Sequence, residues 1–267
     1  MKTLQLVLAA ALATTALASP ASAQLAAPNA IGVSIGHLHI NAADVDAQVK
    51  FWTAAGGTLV QREKLTIVRF PGIYVLLRKQ DNTGGTAGSS VNHVGFSVRD
   101  FEGSVAKWKA AGLTWEPGRN PPDGQGFLVA PDNVRVEIFE NRSQTEPMMM
   151  NHIHLQVTDV TQAQQWYGKY FGGVSGKRGR WDVANVPGTE LTLGKVDTVQ
   201  TPTKGRAVDH IGFEVKNIDA FVAGLQGAGI KTDGAVRNSP NASRLRIVYL
   251  TDPWGTEIEL TEGLAGS

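Results

Sequence analysis

One short pattern recurs four times along this chain: His37-Leu38-His39-Ile40, His93-Val94-Gly95-Phe96, His152-Ile153-His154-Leu155 and His210-Ile211-Gly212-Phe213. Seven residues beyond each leading histidine stands Asp44, Asp100, Asp159 or Asn217, and an apolar residue follows at once. A repeat of this kind restricts the fold to an assembly of four similar supersecondary units. Asp and Asn ahead of an apolar-periodic stretch predict helix starts, because their short side chains accept from the free N–H groups of the first turn. Helical spacing then follows in Val45, Val49 and Trp52; Phe101, Val105 and Trp108; Val160, Ala163 and Tyr167; and Ile218, Val222 and Leu225. Gly56, Gly112, Gly172 and Gly229 suit the left-handed residue that ends a helix. Strand-like stretches come next, at 66–79, 126–139, 181–194 and 244–261. The reading is α+β: four βαβββ modules.

Residues 141–150 read as a linker, so the expected division is one domain over 31–142 and another over 151–263, each pairing its two modules into a cup. Side chains alternate between the faces of a strand. In the first strand of each module, Leu38 and Ile40, Val94 and Phe96, Ile153 and Leu155, and Ile211 and Phe213 form the face that must pack under a helix. His37, His39, His93, His152, His154 and His210 lie on the opposite face. By the same alternation Glu137, between Val136 and Ile138, and Glu259, between Ile258 and Leu260, share the histidines' side. Imidazoles and a carboxylate converging there suit a divalent ion with positions left open, iron, manganese or zinc. Trp52, Trp108 and Trp166 are expected in the core or at its rim.

The chain has 25 Lys and Arg against 24 Asp and Glu. A balance so near zero argues against nucleic acid or an anionic membrane as partner. With no cysteine, thiolate ligands, disulfides and a Cys nucleophile are excluded. Lys2, the apolar run from Leu4 to Leu17 and Ala21-Ser22-Ala23 have the form of an export signal over 1–23. The mature chain is then expected to begin near Gln24, periplasmic or secreted, with no membrane association after cleavage.

The strand-to-helix histidine and aspartate, the Asp252-Pro253-Trp254-Gly255 turn and the Glu259 strand resemble the vicinal oxygen chelate superfamily, which includes glyoxalase I, fosfomycin- and bleomycin-resistance proteins and extradiol dioxygenases. The resemblance spans essentially the whole mature chain. It implies that the metal is held by the first-strand histidine of both modules of a cup and the last-strand glutamate of the second: His37, His93 and Glu137 in one domain, and His152, His210 and Glu259 in the other. Tyr249, ahead of Glu259, is similar to the dioxygenase signature, though 238–243 lack the histidine that signature carries. Glyoxalase I has a further glutamate ligand, a place Glu190 could take. His154 and Tyr249 are the expected catalytic groups, with His39 the counterpart of His154.

Three functions remain open on this reading. One is a metal-dependent enzyme, of dioxygenase or lyase/isomerase type, acting on a small oxygen-chelating molecule; the others are a metal-free binding protein of the bleomycin-resistance type and a partner-binding exoprotein. The architecture does not require an oligomer and is compatible with a homodimer.

Overall fold

The computed structural model describes residues 25–118 and 124–265; the expected export signal lies outside them. Each of the four segments folds as a strand, a helix and three strands. The first module contains β1 (Val33–Ala42), α1 (Val45–Ala55), β2 (Thr58–Arg62), β3 (Leu65–Phe70) and β4 (Ile73–Lys79). The second has β5 (Val91–Val98), α2 (Phe101–Ala110), β6 (Thr114–Pro117), β7 (Gln125–Ala130) and β8 (Val134–Glu140). The third has β9 (Met148–Val157), α3 (Val160–Phe171), β10 (Val174–Arg178), β11 (Trp181–Val186) and β12 (Thr189–Lys195). The fourth has β13 (Val208–Val215), α4 (Ile218–Gly227), β14 (Arg237–Asn238), β15 (Arg246–Thr251) and β16 (Glu257–Glu262).

The local signals act where the sequence places them. Asp44, Asp100, Asp159 and Asn217 each cap a helix, accepting from the backbone N–H of Ala47, Gly103, Gln162 and Ala220. Gly172 closes α3 in the left-handed region, at φ 66°.

Two eight-stranded mixed sheets result, and their composition corrects the expected cups. One sheet runs β14-β15-β16-β13-β1-β4-β3-β2 and the other β10-β11-β12-β9-β5-β8-β7-β6. Module one therefore shares a sheet with module four, and module two with module three. The seam strands pair antiparallel, β1 with β13 and β5 with β9.

The connectors explain the exchange. The short segment 141–147 leads from β8 into β9 of the same sheet. The longer segments 80–90 and 196–207 cross between sheets side by side, with Thr83 N donating to Gly205 O, Ala207 N to Gly84 O and Ser90 N to Thr201 O.

The halves of the sequence are nonetheless packed units on the helix side. Trp52 of module one meets Phe96 of module two with ring centroids 6.1 Å apart, and Trp108 Nε1 donates to Ala55 O across the same boundary. Phe171 of module three meets Phe213 of module four at 4.5 Å. Trp52, Trp108 and Trp166 are all buried, each such side chain contributing on the order of 2 kcal/mol through area removed from water. The apolar faces of both sheets thus merge into one core, while the histidine faces form two concave surfaces, each built from both halves of the chain. No helix of the described residues is long and apolar enough to cross a membrane.

Candidate metal centres

The exchange of modules redistributes the ligands. His37, predicted with His93 and Glu137, instead stands with His39, His210 and Glu259 in cup one, formed by modules one and four. His152, predicted with His210 and Glu259, joins His93, His154 and Glu137 in cup two, formed by modules two and three. All six expected ligand residues lie in these two clusters, grouped differently from the expectation.

Two glycines set the pairing in physical terms. His37 faces Gly212 across the β1–β13 seam, and His152 faces Gly95 across β5–β9. A Cβ on Gly212 would lie 2.6 Å from His37 Nε2, and one on Gly95 would lie 2.7 Å from His152 Nε2. Each His-x-His strand therefore requires a His-x-Gly strand beside it. That rule fits modules one with two as well as one with four, so the motif alone leaves the partner open.

In cup two, His93 Nε2 and His152 Nε2 each lie 3.0 Å from the same oxygen, Glu137 Oε2, and 3.1 Å from each other. On the far side of the rings, His93 Nδ1 meets Asn92 Oδ1 at 2.8 Å and His152 Nδ1 meets Asn151 Oδ1 at 3.1 Å. Those acceptors take the Nδ1 protons and leave both Nε2 lone pairs directed inward. Burial opposes ionisation of Glu137, but in the opposite tautomer the Nε2 protons of His152 and His93 donate to it, which outweighs burial and holds the carboxyl far below its usual range. Burial lowers the His152 pKa. Two lone pairs and a carboxylate oxygen meeting at one point repel unless a cation lies between them, and the donor set suits a divalent ion.

Cup one repeats this arrangement in a drier setting. His37 Nε2 and His210 Nε2 lie 2.9 and 3.1 Å from Glu259 Oε2. Here the outer partner of His210 is a carboxylate, Asp209 Oδ1, at 2.6 Å from Nδ1, and Asn41 and the Gly205 N–H hold Asp209 in turn. Burial works against protonation of His210, yet Asp209 and Glu259 raise it to about 9. His37 Nδ1 and both ring nitrogens of His39 are buried without a hydrogen-bond partner, and ligation would engage one nitrogen of each ring. Leu65, Ile67, Tyr74, Leu76, Leu245 and Ile247 fill the rest of this face, and Leu264 packs among them. Glu214 accepts from the N–H groups of Gly263, Leu264 and Ala265 and fixes that segment across the cup.

The two predicted catalytic groups fall in different cups. Tyr249 belongs to cup one, where it pairs with Glu259 across β15–β16 and its ring stands edge-on to His210 at 5.3 Å. Burial, and then the Glu259 charge, raise its pKa. His154 belongs to cup two, 4.6 Å from His93 and 4.9 Å from Trp181 between ring centroids. Burial, then His93 and His152, lower its pKa to about 3. Phe127 occupies in cup two the place of Tyr249, opposite Glu137. Glu190 is in register with His152 on the adjoining strand, but its carboxylate takes Arg178 Nε at 2.7 Å and Thr192 Oγ1.

The cups also differ in access. Cup two opens into a cleft of about 620 Å³ whose walls include His93, His154, Glu137, Phe127, Trp181 and three arginines. Sequence reasoning missed Gln125, which donates to Glu137 Oε1. It also missed the asparagines behind the histidines, although each immediately precedes its histidine in the sequence, a visible signal.

Residues 149–260 match the family Glyoxalase/Bleomycin resistance protein/Dioxygenase superfamily. Among solved structures, glyoxalase I from Zea mays is similar at 19% identity and a TM-score of 0.66, over 86% of this chain and 92% of that one. A putative dioxygenase from Bacillus subtilis is similar at 13% identity and a TM-score of 0.64, over 90% of this chain and 86% of the other. The comparison with curated protein sequences gives no match. Likeness at these identities speaks for the fold alone, two cups in one chain.

Proposed function

We propose that this chain, a member of the glyoxalase, bleomycin-resistance protein and dioxygenase superfamily through its residues 149–260, is an exported metal-dependent enzyme. Its substrate is a small molecule offering two adjacent oxygens, and its reaction is of the dioxygenase or the lyase/isomerase type. The observation that carries this reading is the meeting of His93 Nε2 and His152 Nε2 on one oxygen of Glu137 at the floor of an open cleft. A bound divalent ion would supply Lewis-acid polarisation of the substrate oxygens there.

The chain's own residues do the rest. Asn92 and Asn151 hold the ligand rings in the tautomer that points lone pairs inward, and Gln125 orients Glu137. His154, held as free-base imidazole, accepts a hydrogen bond from a substrate hydroxyl and so fixes its approach. Phe127 and Trp181 wall the cleft and limit water. Cup one, with its ligands buried beneath apolar side chains, serves as an enclosed second metal centre. Export rests on the N-terminal sequence, Lys2 and the apolar run to Leu17 ahead of Ala21-Ser22-Ala23.

Elemental analysis of the purified protein and of His93→Ala and His152→Ala tests the reading. Bound divalent metal that each variant reduces is the expected result. Protein that purifies and reconstitutes without metal overturns it in favour of a metal-free binding protein, in which Glu137→Gln would leave ligand affinity unchanged.

A further inference from the structure

The walls of cup two carry more positive charge than the protein spends on itself. Arg180 places its guanidinium carbon 4.6 Å from the centre of the Trp181 ring and, among the described residues, has no ion-pair partner. On the opposite wall Arg135 lies 4.0 Å over Phe127, and its carboxylate neighbour is Glu116 at 3.5 Å, itself half exposed. Arg178, by contrast, is committed to Glu190 at 2.7 Å.

Both Arg180 and Arg135 sit on an aromatic ring, and each ring leads to the metal cluster. Trp181 meets His154 edge-on at 4.9 Å, and Phe127 meets His93 edge-on at 5.6 Å. The two walls come from different halves of the chain, so the arrangement exists only because modules two and three share a sheet. Stacking on a ring holds the planar fork of an arginine in place while leaving its N–H edge for a carboxylate or phosphate. Flat rings opposite one another suit a planar ligand.

We propose that cup two takes an anionic aromatic substrate: adjacent ring oxygens face the His93, His152 and Glu137 cluster, the ring lies along Phe127 and Trp181, and a carboxylate or similar anionic group binds Arg180 and Arg135. This deepens the proposed function and rests on cup two being its substrate site. A substrate lacking the anion leaves Arg180 without an ion-pair partner among the described residues and Arg135 with Glu116 alone, and binds more weakly.

Binding can be measured by calorimetry on the zinc-loaded protein with three catechols: uncharged 4-methylcatechol, 3,4-dihydroxybenzoate and the longer 3-(3,4-dihydroxyphenyl)propionate. At least one carboxylate-bearing catechol is expected to bind about tenfold or more tightly than 4-methylcatechol, the size of one charge-assisted hydrogen bond. Arg180→Gln, at an exposed position that leaves the fold intact, should remove most of that preference while leaving 4-methylcatechol unchanged. Glu137→Gln should weaken all three catechols and keep the preference. Equal affinity for all three, or a preference that survives both Arg180→Gln and Arg135→Gln, overturns the proposal. Benzoate and 3-phenylpropionate, which carry the anion without the chelating oxygens, separate the two readings. Salt-sensitive binding of either that Arg180→Gln abolishes, with no catechol advantage, supports the anion site and sinks the chelate reading; no binding of any carboxylate overturns the anion site alone.

Discussion

Replacing Gly95 by alanine tests the cross-half construction of cup two at a single atom. The added Cβ would stand 2.7 Å from His152 Nε2, and nearer still to the ring's other inner atoms. Unstrained contacts of this kind lie near 3.5–4.0 Å, so the ring must withdraw by more than ~1 Å. Metal–ligand distances tolerate only about 0.2 Å, so His152 leaves the coordination sphere. Inserting the methyl into a packed seam should also cost on the order of 1–3 kcal/mol of stability. Elemental analysis after dialysis, with urea denaturation in parallel, reads both effects. Gly95→Ala is expected to lose the ion of cup two and keep that of cup one. Adding His152→Ala should then change nothing further, whereas adding His37→Ala should remove the remaining ion. If His37→Ala is silent in the Gly95→Ala background while His152→Ala removes the remaining ion, Gly95 faces His37, the cups follow the halves of the sequence, and the reasoning fails.

Further outcomes follow from cup one and the core. Asp209→Ala removes the carboxylate behind His210 and should weaken metal binding in cup one about 10- to 100-fold in competition with a chelator, leaving cup two unaffected. Asp159→Ala deletes the cap of α3 and should lower stability to urea by about 1 kcal/mol. Trp52→Ala, in the fully buried core, should cost about 3–5 kcal/mol. Burial raises the pKa of Glu214 above 4.5 despite the hydrogen bonds it accepts. Its folded pKa lies above its unfolded one, so its contribution is complete below pH 4.5 and is lost as pH rises through the folded value. Glu214→Gln, which keeps the acceptor, should therefore match the wild type in acid and exceed it at neutral pH in a urea series.

The modules were legible because their signals are local. A cap such as Asp159 and a terminator such as Gly172 act within a few residues, and strand alternation put Glu137 and the histidines on one face without any knowledge of neighbours. The partner of each module was not legible, because His-x-His beside His-x-Gly is satisfied equally by modules one and two or by one and four. What decides is the length and path of connectors 80–90, 141–147 and 196–207, and their backbone hydrogen bonds leave no residue pattern. The same gap separated Tyr249 from His154, two groups that look like members of one site on paper. Access was equally hidden: that Leu264 lies over one cup while Arg180 rims the other depends on where distant segments come to rest.

The seam that joins unlike halves has a consequence for how such a molecule can change. Each half carries one His-x-His strand and one His-x-Gly strand with its glutamate, so a half is complementary to a second copy of itself. Two separate copies would form two identical bowls, and every substitution would strike both at once. Carried on one polypeptide, the bowls are released from that tie. One has been filled with leucine and isoleucine and the other edged with arginine, while both keep two histidines and a glutamate at their floor.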